Sequence, residues 1–307
     1  MKVVSYLRGI PNSKNQEKID VLNHFITGVK ANGDIGIVSE DRLWQPSEAA
    51  VLQGFITEHS TKLLKSPHLL LRKNVYERQK ANGNHTIIID SNLFLYADSG
   101  NTKHYLRYSM DGVFPTTGNY FWSEPDPNRW QKISKDLGLY LKPYRLTGKH
   151  ILICCQRNGG WSMGGLEVMD WLRTTVRRIR KFSDRPIVVR GHPGDRKAPG
   201  YLRFSWPGVR ISKSPTLLGD LVNCWAVVTY NSSPGVAAAI EGIPVFVTDP
   251  NPEVSQAFGV ANTNLKRIEA PKTLDRQKWI EKISMSHWNF SELQSGEAWR
   301  HMRKYIQ

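Results

Sequence analysis

Two adjacent serines, Ser232 and Ser233, lie between the apolar run Ala226–Tyr230 and the Ala-rich stretch Val236–Glu241. That order predicts strand, turn and helix. The turn would offer hydroxyls and unpaired helix N–H groups to an anion, above all a phosphate. Asn231 shares the turn, and Pro234 suits the first helical position, so the group reads equally as an ordinary N-cap. A second feature is His192-Pro193, in the loop Gly191–Asp195 after the apolar run Pro186–Arg190. His192 and Arg190 are candidates to meet a departing phosphate, although a lone histidine is also a common structural residue. The third is the loop Arg157-Asn158-Gly159-Gly160-Trp161-Ser162-Met163-Gly164-Gly165, which follows the apolar run ILICCQ. Its glycines would let backbone N–H groups approach a phosphate closely. It lacks the Gly-Lys-Ser/Thr ending of a P-loop and does not spell GxGxxG. The fourth is Asp111-Gly112, the one acid in the aromatic stretch Tyr105–Trp122; Asp-Gly is also a frequent turn pair.

The elements that must hold these residues alternate between strand and helix. In the first half, strands are predicted at Lys2–Leu7, Asp34–Val38, Ala49–Phe55 and Thr86–Asp90, with helices at Ile19–Ala31 and Leu69–Lys80. Tyr105–Trp122 is read as a long irregular segment, a kind that is often functional. Asp126–Leu137 reads as a helix with Trp130 and Ile133 inward, and Leu141–Lys149 as a linker. A second α/β unit follows. Its strands are Ile151–Gln156, Pro186–Arg190, Ala226–Tyr230 and Ile243–Thr248. Its helices are Leu166–Phe182, with Leu166, Met169, Leu172, Val176 and Ile179 on one face, then Thr216–Val222 and Val236–Glu241. Arg276–Met285 and Ser291–Tyr305 read as terminal helices. The expected fold is therefore α/β with two Rossmann-like domains facing across a cleft. We divide it into 1–145, 146–290 and a C-terminal helix, 291–307, returning to the first domain. Three candidate features fall at the C-terminal ends of predicted parallel strands, where ligands bind in open α/β sheets, so they are expected to converge.

With 307 residues and 40% hydrophobic residues, the chain has enough material for two packed domains. No run of 18 apolar residues suggests a membrane span, and the N-terminal apolar stretch is too short for a secretory signal. Cys154, Cys155 and Cys224 show neither zinc spacing nor a disulfide framework, which fits a reducing cytoplasm. There is no Asp-x-Asp triad, and Asp126 and Asp136 have no ligand spacing, so no metal is demanded. The formal charge is +15, from 42 Lys and Arg against 27 Asp and Glu. Such an excess predicts attraction to a polyanion, namely nucleic acid or an anionic membrane surface. A plainer account is solubility, or binding of nucleotide phosphates.

Two Rossmann-like halves with a phosphate site in the second resemble a GT-B glycosyltransferase. Asp111-Gly112, His192-Pro193 and Ser232-Ser233 are similar, in type and order, to the motifs of transferases that use CMP-activated sugars, the bacterial sialyl and Kdo transferases. The resemblance implies Asp111 as general base, His192 as the group that stabilises or protonates the departing phosphate, and Ser232 and Ser233 as its holders. Arg157, Asn158, Gly159, Gly160, Arg190, Pro193 and Asn231 would complete the donor side. Met110 stands where such enzymes often carry a second acid. The segments SYLRGIPNSKN, DSNLFLY, DGVFPTTGNYFW and QRNGGWSMGG, with the following HPGD, also resemble phage enzymes that glycosylate 5-hydroxymethylcytosine in DNA, the arabinosyltransferase-like ones in particular. That likeness implies a nucleotide-sugar donor, CMP- or UDP-linked, and no tightly bound cofactor. It implies double-stranded DNA as partner, in the cytoplasm of an infected host, with the target base turned out of the stack. Arg8, Asn12, Lys14 and Arg107 would then meet DNA, and Tyr108, Phe114, Tyr120 and Phe121 would stack on bases or, on the plainer reading, fill a core. The alternatives are a transferase of cell-surface polysaccharide and a nucleic-acid-binding protein on a transferase-like fold.

Overall fold

The computed structural model describes residues 1–10, 16–55 and 66–306. Two sheets organise the chain. The first contains β1 (Lys2–Tyr6), β2 (Ile35–Ser39), β3 (Ala49–Gln53), β4 (His85–Asp90), β5 (Leu106–Met110) and β11 (His287–Trp288), in the order β11-β5-β4-β3-β1-β2. β1 to β4 are parallel, whereas β5 runs antiparallel to β4 and β11 antiparallel to β5. The second contains β6 (His150–Cys154), β7 (Ile187–Arg190), β8 (Val209–Ile211), β9 (Cys224–Thr229) and β10 (Val245–Val247), all parallel, in the order β10-β9-β6-β7-β8. Every residue of β9 is buried, as a central strand covered on both faces requires.

The helices are α1 (Gln16–Ala31), α2 (Pro67–Ala81), α3 (Pro127–Leu137), α4 (Val168–Arg180), α5 (Ala198–Tyr201), α6 (Leu217–Leu221), α7 (Pro234–Ile240), α8 (Gln277–Ser284), α9 (Phe290–Gln294) and α10 (Glu297–Met302). Their limits follow local chemistry. Asp126 accepts from the Asn128 N–H ahead of Pro127, and Gly138, at φ 64°, ends the same helix in the left-handed region that favours glycine. Asn289 and Glu292 form a reciprocal capping box on α9.

Three sequence expectations change. Tyr105–Trp122 is not wholly irregular, because its first third is β5; an antiparallel return strand needs no crossover helix and breaks the alternation used to find strands. The single helix expected at Ser291–Tyr305 is two short ones, parted at Gly296, whose φ is 79°. Leu166 lies exposed ahead of α4 rather than on its inward face, because the helix starts only at Val168. The strands β8 and β11 were not foreseen.

The apolar clusters explain how the halves hold together. Val21, Leu22, Phe25 and Ile26 of α1 pack with Trp288, Leu293, Trp299 and Met302 over the first sheet. Gly28 lets α1 approach α9 closely, since a Cβ there would run into the Leu293 carbonyl oxygen. Another cluster joins Leu93, Phe94, Tyr105, Trp130 and Ile133 to Leu152, Val227, Ile240 and Ile280, so one core runs from the first half into the second. The three cysteines are buried and free. Among the described residues no helix is long and apolar enough to cross a membrane, and no group of three or more His, Cys, Asp or Glu side chains is placed to hold a metal ion.

Candidate functional site

A cavity of about 180 Å³ lies where the two sheets meet. One wall is Asp90-Ser91-Asn92-Leu93, the segment that leaves β4, together with Arg107 of β5. The opposite wall is Gln156, after β6, Trp161 and Ser162 of the glycine loop, and Asn231-Ser232-Ser233, after β9. The cavity thus lies at the C-terminal ends of parallel strands of both sheets.

The second-half wall is fixed by its own hydrogen bonds. Gln156 accepts from the Asn231 N–H at 3.0 Å and donates to Ser162 Oγ at 2.7 Å. Asn231 Nδ2 donates to the Ser162 carbonyl at 3.0 Å and to Asp249 at 2.7 Å. Burial pushes the Asp249 carboxyl up. Ser232 Oγ lies 2.7 Å from Thr229 Oγ1, and exposed Ser233 makes no capping bond although it occupies the N-cap of α7. On the first-half wall, buried Arg107 donates to Asp90 at 2.8 Å and to Gln256 at 2.5 Å, while Gln256 Nε2 donates to the Val113 carbonyl. Arg107 therefore ties the carboxylate of one half to the amide of the other.

The structure brings some predicted residues together and separates others. Asn231, Ser232, Ser233, Arg107 and Phe114 line the cavity. Asp111 does not. It follows the C-terminal end of an antiparallel strand and so falls at the opposite edge of the sheet. Its neighbour Met110 pairs with Ile87, whereas Asp90 pairs with Arg107. Thr86, whose N–H the Asp111 carboxylate accepts at 2.7 Å, is four residues from Asp90, about 13 Å along the strand. Asp111 also lies 2.7 Å from His85 Nδ1, and its φ of 61° marks a turn. The carboxylate in the cavity is Asp90. The sequence signal for it was available: TIIID ends in an acid at a strand's C-terminal end, and ILICCQ likewise ends in Gln156.

His192 and Pro193 follow β7, the strand next to β6, and neither lines the cavity. The Gly194 N–H donates to His192 Nδ1 at 3.0 Å, which leaves the proton on Nε2. Burial, with the Arg157 charge nearby, lowers the pKa of His192. Arg157 reaches across this loop, and a Cβ on Gly194 would fall 2.5 Å from its guanidinium. Asn158 holds the loop internally: its N–H donates to Asp195 at 2.9 Å and its side chain accepts from the Val168 N–H at 3.1 Å. Gly159 and Gly160 shape the turn, Gly159 at φ 70°. Burial works to raise the Asp195 carboxyl, but hydrogen bonds from Tyr201 and the Asn158 and Lys197 N–H groups outweigh it and hold it below the usual carboxylate range. Arg190 turns away to Asp220 at 2.6 Å and the Ser214 carbonyl, so it is committed to structure.

Of the residues assigned to DNA, Asn12 and Lys14 lie outside the described residues. Tyr108 is 2% exposed and stacks on Phe25 under α1, and Tyr120 is 7% exposed in the core shared by the halves. Burial pushes the Tyr120 hydroxyl up to about 12. Both are core residues: β5 turns Tyr108 inward toward α1, and the loop after β5 buries Tyr120. Phe121 packs on Phe258 beneath Lys282. Phe114 instead meets Trp161 edge to face, and Trp161 meets Phe55, giving an aromatic group that bridges the halves. Arg8 is exposed and borders a second, open cavity of about 320 Å³ with Leu7, Ile10, Arg42 and His68, at the C-terminal ends of β1 and β2.

The architecture is the GT-B fold. The chain is similar to two solved structures of Thermosulfurimonas dismutans KpsC. The beta Kdo 2,4 transferase is 13% identical, with a TM-score of 0.57 over 94% of this chain and 91% of that one. The beta Kdo 2,7 transferase is 14% identical, with a TM-score of 0.55 over the whole of both chains. No family model and no curated protein matches the sequence.

Proposed function

We propose that the chain is a glycosyltransferase that moves a sugar from a nucleotide-sugar donor to a hydroxyl of a polyanionic acceptor, the hydroxymethyl group of 5-hydroxymethylcytosine in DNA. The observation that carries the transferase reading is the cavity itself. It sets the Ser232-Ser233 turn, suited to a phosphate, against Asp90, suited to a proton. In the reaction the anomeric carbon–phosphate oxygen bond breaks and the electron pair leaves with the phosphate. The acceptor oxygen bonds to the anomeric carbon, and its proton passes to Asp90. Arg107 orients Asp90, and the Ser232 and Ser233 hydroxyls hold the departing phosphate. His192, neutral with its proton on Nε2, donates to that phosphate. The reaction calls on no resident metal, so turnover is expected to persist in EDTA.

The polyanionic acceptor is supported by the charge of +15 and by the cavity bearing Arg8 and Arg42 on the first-half edge. The aromatic group of Phe55, Phe114 and Trp161 offers faces for a base turned out of the stack. A second reading, a polysaccharide transferase, is favoured by the shared fold with two Kdo transferases. The test is mass spectrometry of nucleosides from DNA containing 5-hydroxymethylcytosine after incubation with UDP- and CMP-linked sugars. A sugar mass on that nucleoside is the expected result. Transfer only to polysaccharide primers would establish the second reading.

A further inference from the structure

The positive charge of the chain is unevenly placed. The stretch Val168–Ile211, from the start of α4 to the end of β8, holds 11 Lys and Arg against three acids. That excess is more than half of the formal +15, carried by 44 of the 307 residues. Some of these cations are committed to the fold. Arg190 pairs with Asp220, Arg185 with Glu269 and Arg173 with Asp170, and Arg180 donates to the Arg185 and Gly208 carbonyls. Of the three acids, Asp170 is thereby engaged and Asp195 is buried, which leaves Asp184. Arg177, Arg178 and Lys181 at the end of α4, and Arg203 and Arg210 at the β8 edge, are exposed and make no ion pair among the described residues.

The alternation of β6 fixes where this charge lies. Ile151 and Ile153 face Leu172, Val176 and Ile179 of α4, whereas Leu152 and Cys154 face the core shared with Phe94 and Trp130 of the first half. α4 therefore covers the face of the second sheet that is turned away from the first half. A helix joining two parallel strands starts where the first strand ends and returns to where the second begins. The last turn of α4, with Arg177, Arg178 and the following Lys181, thus lies toward the edge opposite the cleft cavity. Arg180 reaches the Gly208 carbonyl just ahead of β8, which brings Arg210 alongside. On its other flank α4 packs with Leu265, whose neighbours Lys266 and Arg267 are also exposed. The negative end of a helix dipole accounts for cations in the last turn of α4, but its effect falls off within that turn and does not extend to β8 or to Lys266 and Arg267. Like charges gathered in this way repel one another, a cost that is offset when phosphates lie against them.

We propose that this outer face is a second nucleic-acid-binding surface, remote from the cleft, which holds duplex DNA by its phosphates without reading its bases. The choice of DNA as the polyanion rests on the acceptor reading above, whereas the surface does not depend on the chemistry of the cleft. A long duplex held here keeps its other segments at high local concentration around the reacting centre. The test is fluorescence anisotropy of an unmodified duplex, titrated over a range of salt with the intact protein. One variant combines Arg177→Gln, Arg178→Gln and Lys181→Gln, and a second, off the helix, combines Arg203→Gln and Arg210→Gln. Each is expected to bind at least about tenfold more weakly at low salt, with a log–log salt slope shallower by about two to three. Glutamine matches the helix propensity of the residues it replaces, so melting temperatures should hold. Should the α4 variant melt lower, the β8 variant decides. Parent-like affinity and slope in both variants would overturn the proposal. So would a parent that ignores DNA, and binding of that parent to phosphatidylglycerol vesicles, weakened in both variants, would assign the face to an anionic membrane instead. Calorimetry with UDP- and CMP-linked sugars separates the two readings. A parent that binds no nucleotide sugar while the DNA results come out as expected would remove the transferase reading and leave this surface standing.

Discussion

The two cavities on the strand ends differ in how their charges are used. In the cleft, Asp90 and Arg107 neutralise each other, and the remaining polar groups are neutral amides and hydroxyls. In the open cavity at β1 and β2, Arg8 and Arg42 stand with Glu40 and His68 over an apolar floor of Leu7, Ile10 and Ile19. Arg8 donates to the Glu40 main-chain carbonyl, and among the described residues it makes no ion pair. One region therefore holds its two charges as a closed pair, and the other leaves two arginines beside a single acid.

The sharpest way to break this division is to compare the two aspartates of the first sheet. Asp90→Asn is expected to lower kcat by about 10²–10⁴-fold, the usual worth of a positioned acid or base, while Asp111→Asn stays within about threefold. Steady-state rates on the two variants decide it, and a large loss in Asp111→Asn with Asp90→Asn active would reverse the assignment. Next in size, Ser232→Ala combined with Ser233→Ala should raise the donor KM by about tenfold or more, since hydrogen bonds to a charged phosphate are worth about 1.5–3 kcal/mol each. Acceptor affinity should be unchanged. Arg8→Glu with Arg42→Glu should do the opposite. DNA binding measured by anisotropy should fall by about tenfold at low salt, with a log–log salt slope shallower by about two, and donor affinity should hold. A salt slope equal to that of the parent would remove this cavity from the acceptor path.

The smallest effect concerns acid. His287 is buried beside the cleft, where Nδ1–H donates to the Ile283 carbonyl and Nε2 accepts from the Leu93 N–H. Burial first, then its charged neighbours, lowers its pKa to about 3, and that of His301 to about 4. Both folded values lie below the unfolded value of about 6.5. The native state therefore binds fewer protons, and stability should be fully present above pH 6.5 and decline as pH falls toward 4. His287→Gln should flatten that decline in melting curves taken between pH 7.5 and 4.5. If His287→Gln melts with the same pH slope as the parent, the loss of stability in acid lies elsewhere.

Much of the second half was legible in the sequence because most of it obeys one rule. Four of its five parallel strands are apolar runs ending in polar turns at one edge; the exception, β8, is the short Val209–Ile211 with Arg210 at its centre. The first half breaks that rule at β5. An antiparallel strand reverses which end reaches the cleft, so Asp111, read as the acid of an irregular segment, lies at the far edge of the sheet and Asp90 at the edge that lines the cavity. The aromatic residues around it looked alike in sequence. Only the alternation of β5 and the packing of α1 separate Tyr108, sealed in the core, from Phe114, which lines the cavity. The pairing of Arg190 with Asp220, thirty residues away, left no local trace at all.

The return of the chain to its first sheet also sets an order of assembly. The inward face of α1, from Val21 to Val29, is covered by Trp288, Leu293, Trp299 and Met302, and Asp34 accepts from Trp299 Nε1 at 2.8 Å. As the chain leaves the ribosome, α1 must wait with part of its apolar face uncovered until more than 250 further residues have been added. The second sheet is made in between and needs no such wait. The half that would hold the acceptor is begun first and finished last, and an aggregation-prone surface is open throughout that interval.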